Sequence, residues 1–230
     1  MRTDGKAWIL LSFEVLVLTF CMTAFSVLEC SVATVSVEGK FDDCQALVKS
    51  ALADPGLGAR FRFSSANSIN IARLLPQSTY YAHSSLDHYR ATGNRPNYII
   101  PTGNLGNALA CIIARDMGLP IGDIVLATNA NRIISDFLAG AEWLPRASLQ
   151  TLATAMDVGN PSNMERLRRL HGEQEALTGI IRAASVSDEQ IATQIKRQHD
   201  QLGIEICPHT ATAFQVYEDL EAQDLDKDWI

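Results

Sequence analysis

One stretch limits what this chain can fold into more than any other: Pro101-Thr102-Gly103-Asn104-Leu105-Gly106-Asn107. Before it, Asn97-Tyr98-Ile99-Ile100 is short and apolar and reads as a buried strand. After it, Ala108 to Met117 is apolar with a helical rhythm and is closed by Gly118 and Pro120. Strand, glycine turn and helix in that order leave the first helical amides unpaired, at the positive end of the helix dipole. Two readings stay open. The stretch is an ordinary tight turn, or it is a cradle for a phosphate group, because glycine lets the backbone come close to an anion. Spacing alone does not separate them.

The chain around it alternates strands and helices. Ala33 to Val37 is β-branched and reads as a strand. Phe41-Asp42-Asp43-Cys44 opens a helix with one aspartate as N-cap and another in the first turn, and Asp54-Pro55-Gly56 breaks it. Phe61 to Phe63 reads as extended. The polar run Ser64–Asn70 leads into a helix beginning at Ile71, which Pro76 kinks or interrupts. Ile124 to Ala127 is a second apolar strand, and Thr128-Asn129 reads as the cap of a helix carrying Ile133, Ile134, Phe137 and Leu138. Residues 141–162 read mostly as loop, and Met164 to His171 as helix. Ser187-Asp188-Glu189-Gln190 fits a capping box, with Gly203 as the stop of its helix. Ile204 to Cys207 reads as a strand ending in Pro208-His209-Thr210, with a helix from about Ala211. Residues 224–230 read as a charged turn entering a strand.

This alternation predicts an α/β fold with a mainly parallel sheet and flanking helices. Ligands of such sheets sit beyond the carboxyl ends of the strands. Three polar stretches fall there in this reading: Ser64–Asn70, Thr102–Asn107 and Pro208–Thr210.

A net charge of −7 with scattered Lys and Arg excludes a general nucleic-acid binder, which needs clustered cations. The five cysteines form no CxxC and no cluster with histidine, so they read as reduced thiols of a cytoplasmic protein, with no metal site expected. Residues 1–32 differ from the rest. Ala7 to Val27 is nearly all apolar, with Arg2 and Lys6 before it, but Glu14 interrupts it and no small-residue cleavage site follows cleanly. The expected organisation is an atypical hydrophobic segment over 1–32, read as buried or aberrant with a membrane span over Ala7–Val27 as the alternative, and one domain over 33–230.

Six stretches together resemble threonine synthases. They are Phe41-Asp42-Asp43-Cys44-Gln45, Ala66 to Arg73 (ANSINIAR), Pro101 to Asn107 (PTGNLGN), Ala127-Thr128-Asn129-Ala130-Asn131, Ala155 to Asn163 (AMDVGNPSN) and Pro208-His209-Thr210-Ala211. They stand in that family's order and at about its spacing, from about Val37 to Ile230. The resemblance implies a pyridoxal-phosphate enzyme of the tryptophan-synthase-β fold type (fold type II), acting in threonine biosynthesis as a lyase. Its reaction would convert O-phosphohomoserine and water to threonine and phosphate. It also implies roles. Gly103, Asn104, Leu105, Gly106 and Asn107 would hold the cofactor phosphate through backbone amides and side-chain donors. Thr210 would hydrogen-bond the pyridine nitrogen. Ser68, Asn70 and Arg73 would receive the substrate phosphate, a task suited to the guanidinium fork of arginine. Asp157 to Asn163 would be a structural loop.

The departures matter as much. The family's cofactor lysine lies upstream of the Phe-Asp-Asp-Cys stretch in a Phe-Lys-Asp context. Here the lysines are Lys6, Lys40, Lys49, Lys196 and Lys227, and none has that context. The resemblance therefore implies no Schiff-base anchor and no catalytic amine. Leu105 stands where the family has Phe. Residues 1–32 do not resemble the family, and an Ala-His-Pro stretch expected after Trp229-Ile230 is missing. The chain reads as an interior or C-terminal part of a threonine synthase, inactive alone. The alternatives are half of a split enzyme, completed by a separate N-terminal polypeptide, and a non-catalytic module that binds phosphate ligands.

Overall fold

The computed structural model describes residues 37–38, 41–65 and 67–230. They fall into two compact units, one reaching Arg73 and the other starting at Leu74. The expected strand at 33–37, apart from Val37, and the segment 1–32 lie outside the described residues.

The first unit is helical. α1 (Phe41–Ala53) starts two residues earlier than expected, so Asp42 is inside the helix instead of capping it. Asp54 ends α1 and at once caps α2 (Pro55–Arg60): its carboxylate accepts from the Leu57 amide at 2.9 Å, and Pro55 takes the first helical position, where no donor is needed. Phe61 is extended, as expected. The Ser64–Asn70 run folds on its own side chains. Asn67 Oδ1 accepts from the Ile69 amide and the Ser68 hydroxyl, both at 3.2 Å, and Asn70 Nδ2 donates to the Ser65 carbonyl at 3.0 Å. Asn70 Oδ1 also accepts from the Ala72 amide at the start of α3 (Ile71–Leu74).

In the second unit Pro76 does interrupt the helix. Leu75–Gln77 tightens to a 3-10 turn, and α4 (Ser78–Thr92) follows, ended by Gly93 in the left-handed conformation at φ 77°. The strands β1 (Tyr98–Pro101), β2 (Ile124–Thr128) and β3 (Arg182–Ser185) form a parallel sheet in that order. The pairings place Tyr98 beside Ile124 and Val125 beside Arg182. α5 (Gly106–Asp116) follows β1, and α6 (Ile133–Leu138) follows β2. α7 (Ser162–His171) and α8 (Gln174–Thr178) precede β3. α9 (Asp188–Leu202) and α10 (Pro208–Glu218) come after it. The α/β parallel reading is therefore correct.

Side chains alternate across the sheet and feed two cores. Tyr98, Ile100, Ile124 and Leu126 point to one face, against Leu109, Ile112, Ile134 and Phe137. Val125 and Ala127 point to the other, with Met156, Ile191, Ala211 and Val216. β2 is central and every one of its residues is buried, which is why Ile124 to Ala127 reads as an unbroken apolar run.

Several boundaries differ from expectation. α6 starts at Ile133 with Arg132 before it, so Thr128 and Asn129 do not cap it. Residues 204–207 form no strand; the third strand is Arg182–Ser185. Its residues Arg-Ala-Ala-Ser are too small and polar to show strand periodicity, and β2 recruits them by backbone pairing. Pro208-His209-Thr210 is consequently not a strand end but the first turn of α10. The Ser187 capping box and the Gly203 stop, at φ 66°, are as expected.

Residues 222–230 return to the start of the sheet. Trp229 forms a parallel bridge with Asn97, and the Ile99 amide donates to the Ile230 carbonyl at 3.0 Å. The Asp224 side chain, 3% exposed, accepts from Lys227 at 2.8 Å and Arg182 at 2.6 Å. The Lys227 ammonium and the Arg182 guanidinium hold its carboxyl below the usual carboxylate range. A carboxyl lowered in the folded state stabilises above its unfolded value, about 3.9, and loses that contribution as pH falls through its folded value. Asp224→Asn is therefore expected to cost about 1–2 kcal/mol at neutral pH, a modest loss because Arg182 and Lys227 reach solvent. Urea denaturation of both proteins from pH 7 to pH 3 checks this. The gap between them should shrink below about pH 4.

Candidate functional site

The carboxyl ends of β1 and β2 carry the polar groups. The turn between β1 and α5 is built around Leu105, at φ 62° the one non-glycine in the left-handed region among the described residues. Its side chain is buried in the core, which holds the residue in that conformation. The Leu105 carbonyl accepts from the Leu109 amide at 2.8 Å, the first bond of the α5 ladder. Helix geometry then leaves the amides of Gly106, Asn107 and Ala108 without an intrahelical partner, and Leu105 supplies no side-chain cap. Three amides at a helix N-terminus, at the carboxyl edge of a parallel sheet, fit a phosphate group.

Gly103 answers to packing. A Cβ there would lie 2.7 Å from Met156 Cα and 3.1 Å from the Met156 carbonyl carbon and oxygen. The 3-10 turn Thr154–Met156 is seated directly on the glycine. Asn104 braces the turn from the other side: its Oδ1 accepts from the Ser162 amide at 2.6 Å and hydroxyl at 3.0 Å, and its carbonyl accepts from Asn163 Nδ2 at 2.9 Å. Asn107 is exposed, and its Oδ1 accepts from the Tyr81 hydroxyl. Burial pushes the Tyr81 phenol well above its ordinary value, so it stays a donor and leaves Nδ2 as the free-facing arm of Asn107. Cys111, beneath on α5, is buried and pushed up to about 12, which makes it an inert thiol.

Thr210 stands in the first turn of α10, exposed, with Oγ1 3.3 Å from Cys207 Sγ. Burial pushes the Cys207 thiol up, but hydrogen bonds from the Thr210 hydroxyl and the first-turn amides outweigh it and set the thiol below its ordinary value. The neighbouring His209 accepts from the Ala155 amide at its Nε2, 3.1 Å away. The Thr154–Met156 turn thus touches both the glycine turn and the start of α10. Two of the three polar stretches converge on it. Ser68, Asn70 and Arg73 belong to the first unit.

Sequence reasoning overlooked a third participant. Asn129, fully buried, donates to Thr151 Oγ1 at 2.8 Å, Asp157 Oδ1 at 2.8 Å and the Ala153 carbonyl at 3.2 Å. Its Oδ1 accepts from the Asn131 amide at 2.9 Å and from Asn131 Nδ2 at 3.0 Å. Asp157 also accepts from the Thr151 amide at 3.0 Å and hydroxyl at 2.7 Å. This network pins the 149–157 loop to the end of β2. Its sequence signal was three short polar side chains, Asn129, Asn131 and Asp157, next to apolar runs, but that pattern also fits helix capping. Among the described residues no group of three or more His, Cys, Asp or Glu could hold a metal ion, and no helix is long and apolar enough to cross a membrane.

The threonine synthase of Escherichia coli strain K12 is 37% identical over 195 residues, covering 85% of this chain and 45% of the relative. Among solved structures, the E. coli threonine synthase superposes with a TM-score of 0.75 at 36% identity, over 86% of this chain and 46% of that one. A pyridoxal-phosphate-bound threonine synthase from Brucella melitensis gives 0.71 at 31% identity, over 81% and 46%. The fold is that of the fold-type-II enzymes, and the chain spans less than half the length of these threonine synthases. The family model for pyridoxal-phosphate dependent enzymes matches residues 27–229, most of the chain. By that match over most of its length, this chain belongs to the pyridoxal-phosphate dependent enzymes.

Proposed function

We propose that this chain is the cofactor-phosphate-binding part of a threonine synthase, an enzyme turning O-phosphohomoserine and water into threonine and phosphate in the cytoplasm. One observation carries the reading: the β1–α5 turn, with three amides lacking an intrahelical partner, and the helix start that carries Thr210 are both gathered on the Thr154–Met156 turn. Pyridoxal phosphate, when bound, supplies an electron sink for chemistry at the carbons next to the substrate amine. The chain's own residues hold and orient. The amides of Gly106, Asn107 and Ala108 bind the phosphate, with Gly103, Asn104 and Leu105 setting the turn and Asn107 Nδ2 adding a donor. The Thr210 hydroxyl meets the pyridine nitrogen. Ser68, Asn70 and Arg73 receive the substrate phosphate.

The lysines support a non-catalytic role for the chain alone. Lys227 Nζ is paired with Asp123 at 2.6 Å and Asp224 at 2.8 Å, beside the amino ends of the strands and away from the glycine turn. Lys196 is exposed on α9, and Lys49 is exposed on α1 of the first unit. None of these described lysines stands in the context of a cofactor anchor. The chain by itself would act as a reversible binder of phosphate ligands.

Titration with pyridoxal phosphate, followed by fluorescence and then dialysis, tests the reading. Saturable binding that dialysis removes is expected. A visible absorbance band that survives dialysis would overturn the missing-anchor argument, and no binding at all would overturn the site. Rescue of a threonine auxotroph is expected only on co-expression with a polypeptide covering the rest of the relatives' length.

A further inference from the structure

The proposed reading assigns nothing to His209, yet its imidazole connects the two groups that the cofactor would bridge. Its Nε2 accepts from the Ala155 amide at 3.1 Å. Met156, next along, is the backbone seated on Gly103. Thr210, next to His209 on the other side, is the pyridine-nitrogen candidate. The Thr212 hydroxyl donates to the His209 carbonyl at 2.7 Å and fixes the first turn of α10. Both ends of the Thr154–Met156 turn are tied to the end of β2, because Asn129 donates to the Ala153 carbonyl and to Asp157 Oδ1.

We infer that His209 is a positioning residue that sets the separation between the glycine turn and Thr210, through its bond to the Ala155 amide. This rests on the cofactor reading of those two groups. The chain of contact runs from Gly103 to the Met156 backbone, through the Ala155 amide to His209, and on to Thr210. An accepting Nε2 requires the ring proton on Nδ1, so the residue works as a lone pair at a fixed reach from the helix. Glutamine places an amide oxygen at a similar reach. Alanine places nothing there. A ligand fixed at both ends is sensitive to their separation, so loosening this contact weakens binding without removing any group that touches the ligand.

The test uses the full chain with His209→Ala and His209→Gln, read by amide hydrogen exchange and by pyridoxal phosphate titration. In H209A the Ala155 amide should exchange about tenfold faster or more, the loss of one hydrogen bond, while the Leu126 amide in the central strand keeps its protection. The dissociation constant should rise about tenfold. H209Q should restore both. Unchanged Ala155 exchange in H209A, unchanged affinity, or a glutamine variant as weak as alanine would overturn the inference. Failure of the cofactor reading is separable. There the unaltered chain would not bind pyridoxal phosphate, and the inference would fall with it even if Ala155 exchange still responded to His209.

Discussion

Gly103→Ala is expected to cost about 1–3 kcal/mol of stability, the range for forcing a methyl into a packed site. It is also expected to weaken pyridoxal phosphate binding by about tenfold or more, since each 1.4 kcal/mol is a factor of ten. The methyl would meet Met156 Cα at 2.7 Å. Cα is a backbone atom, so no side-chain rotation relieves the clash. The backbone around it is held in place by Asn129 on the Ala153 carbonyl and by His209 on the Ala155 amide. Either the Thr154–Met156 turn lifts or the glycine turn shifts. Both displace the amides of Gly106 and Asn107 from the geometry that suits a phosphate. Gly58→Ala is the matched control. Gly58 lies inside α2 with nothing within 4 Å of an added Cβ and no left-handed φ, so alanine there should stabilise by about 0.5–1 kcal/mol. Urea denaturation of the two variants should move in opposite directions. Equal stability and equal affinity for G103A would remove the close approach from the account.

Asn129→Ala is expected to be the most destabilising single polar truncation in the second unit, at about 3 kcal/mol or more. The two Nδ2 hydrogens are shared among three acceptors and Oδ1 accepts two bonds, all buried except the part-buried bond to Asp157. Alanine leaves Thr151 Oγ1, the Ala153 carbonyl and Asp157 Oδ1 each short of a donor, and water cannot enter freely to replace it. The loss should appear in chemical denaturation and, through the released Ala153 carbonyl, in the protection of residues 149–157. A double-mutant cycle of Asn129→Ala with Asp157→Ala should show a coupling of about 1–3 kcal/mol, because the two side chains share one network. Additive effects would show that they act independently.

The parts of the fold legible in the sequence were those coded by neighbours a few residues apart. Ile124 to Ala127 announces a strand by being apolar throughout, since both faces of β2 are covered. Ser187 with Gln190 announces the start of α9, because the capping box is closed by residues three apart. Gly203 announces its end through the left-handed conformation. The strand, glycine turn and helix at 98–116 belong to the same class, and so does the family resemblance, which is written in short contiguous stretches. By contrast, α4 carries few apolar residues and α8 is short, so neither gave a periodic signal.

Local order therefore came from the sequence alone: a parallel α/β chain with an anion-ready helix start after its first strand. Tertiary structure decided which groups surround that start. Arg182–Ser185 became a strand only because β2 offered it an edge, and Ile204–Cys207 did not because no edge met it. Thr210 entered a helix. Asn129 left a capping role for a buried network. Gly103 proved to be glycine because Met156, fifty-three positions away, needs the space. Periodicity and caps record energies between residues close in the chain, whereas these contacts depend on backbone approaches between distant segments, which have no period and exist only once the sheet is assembled.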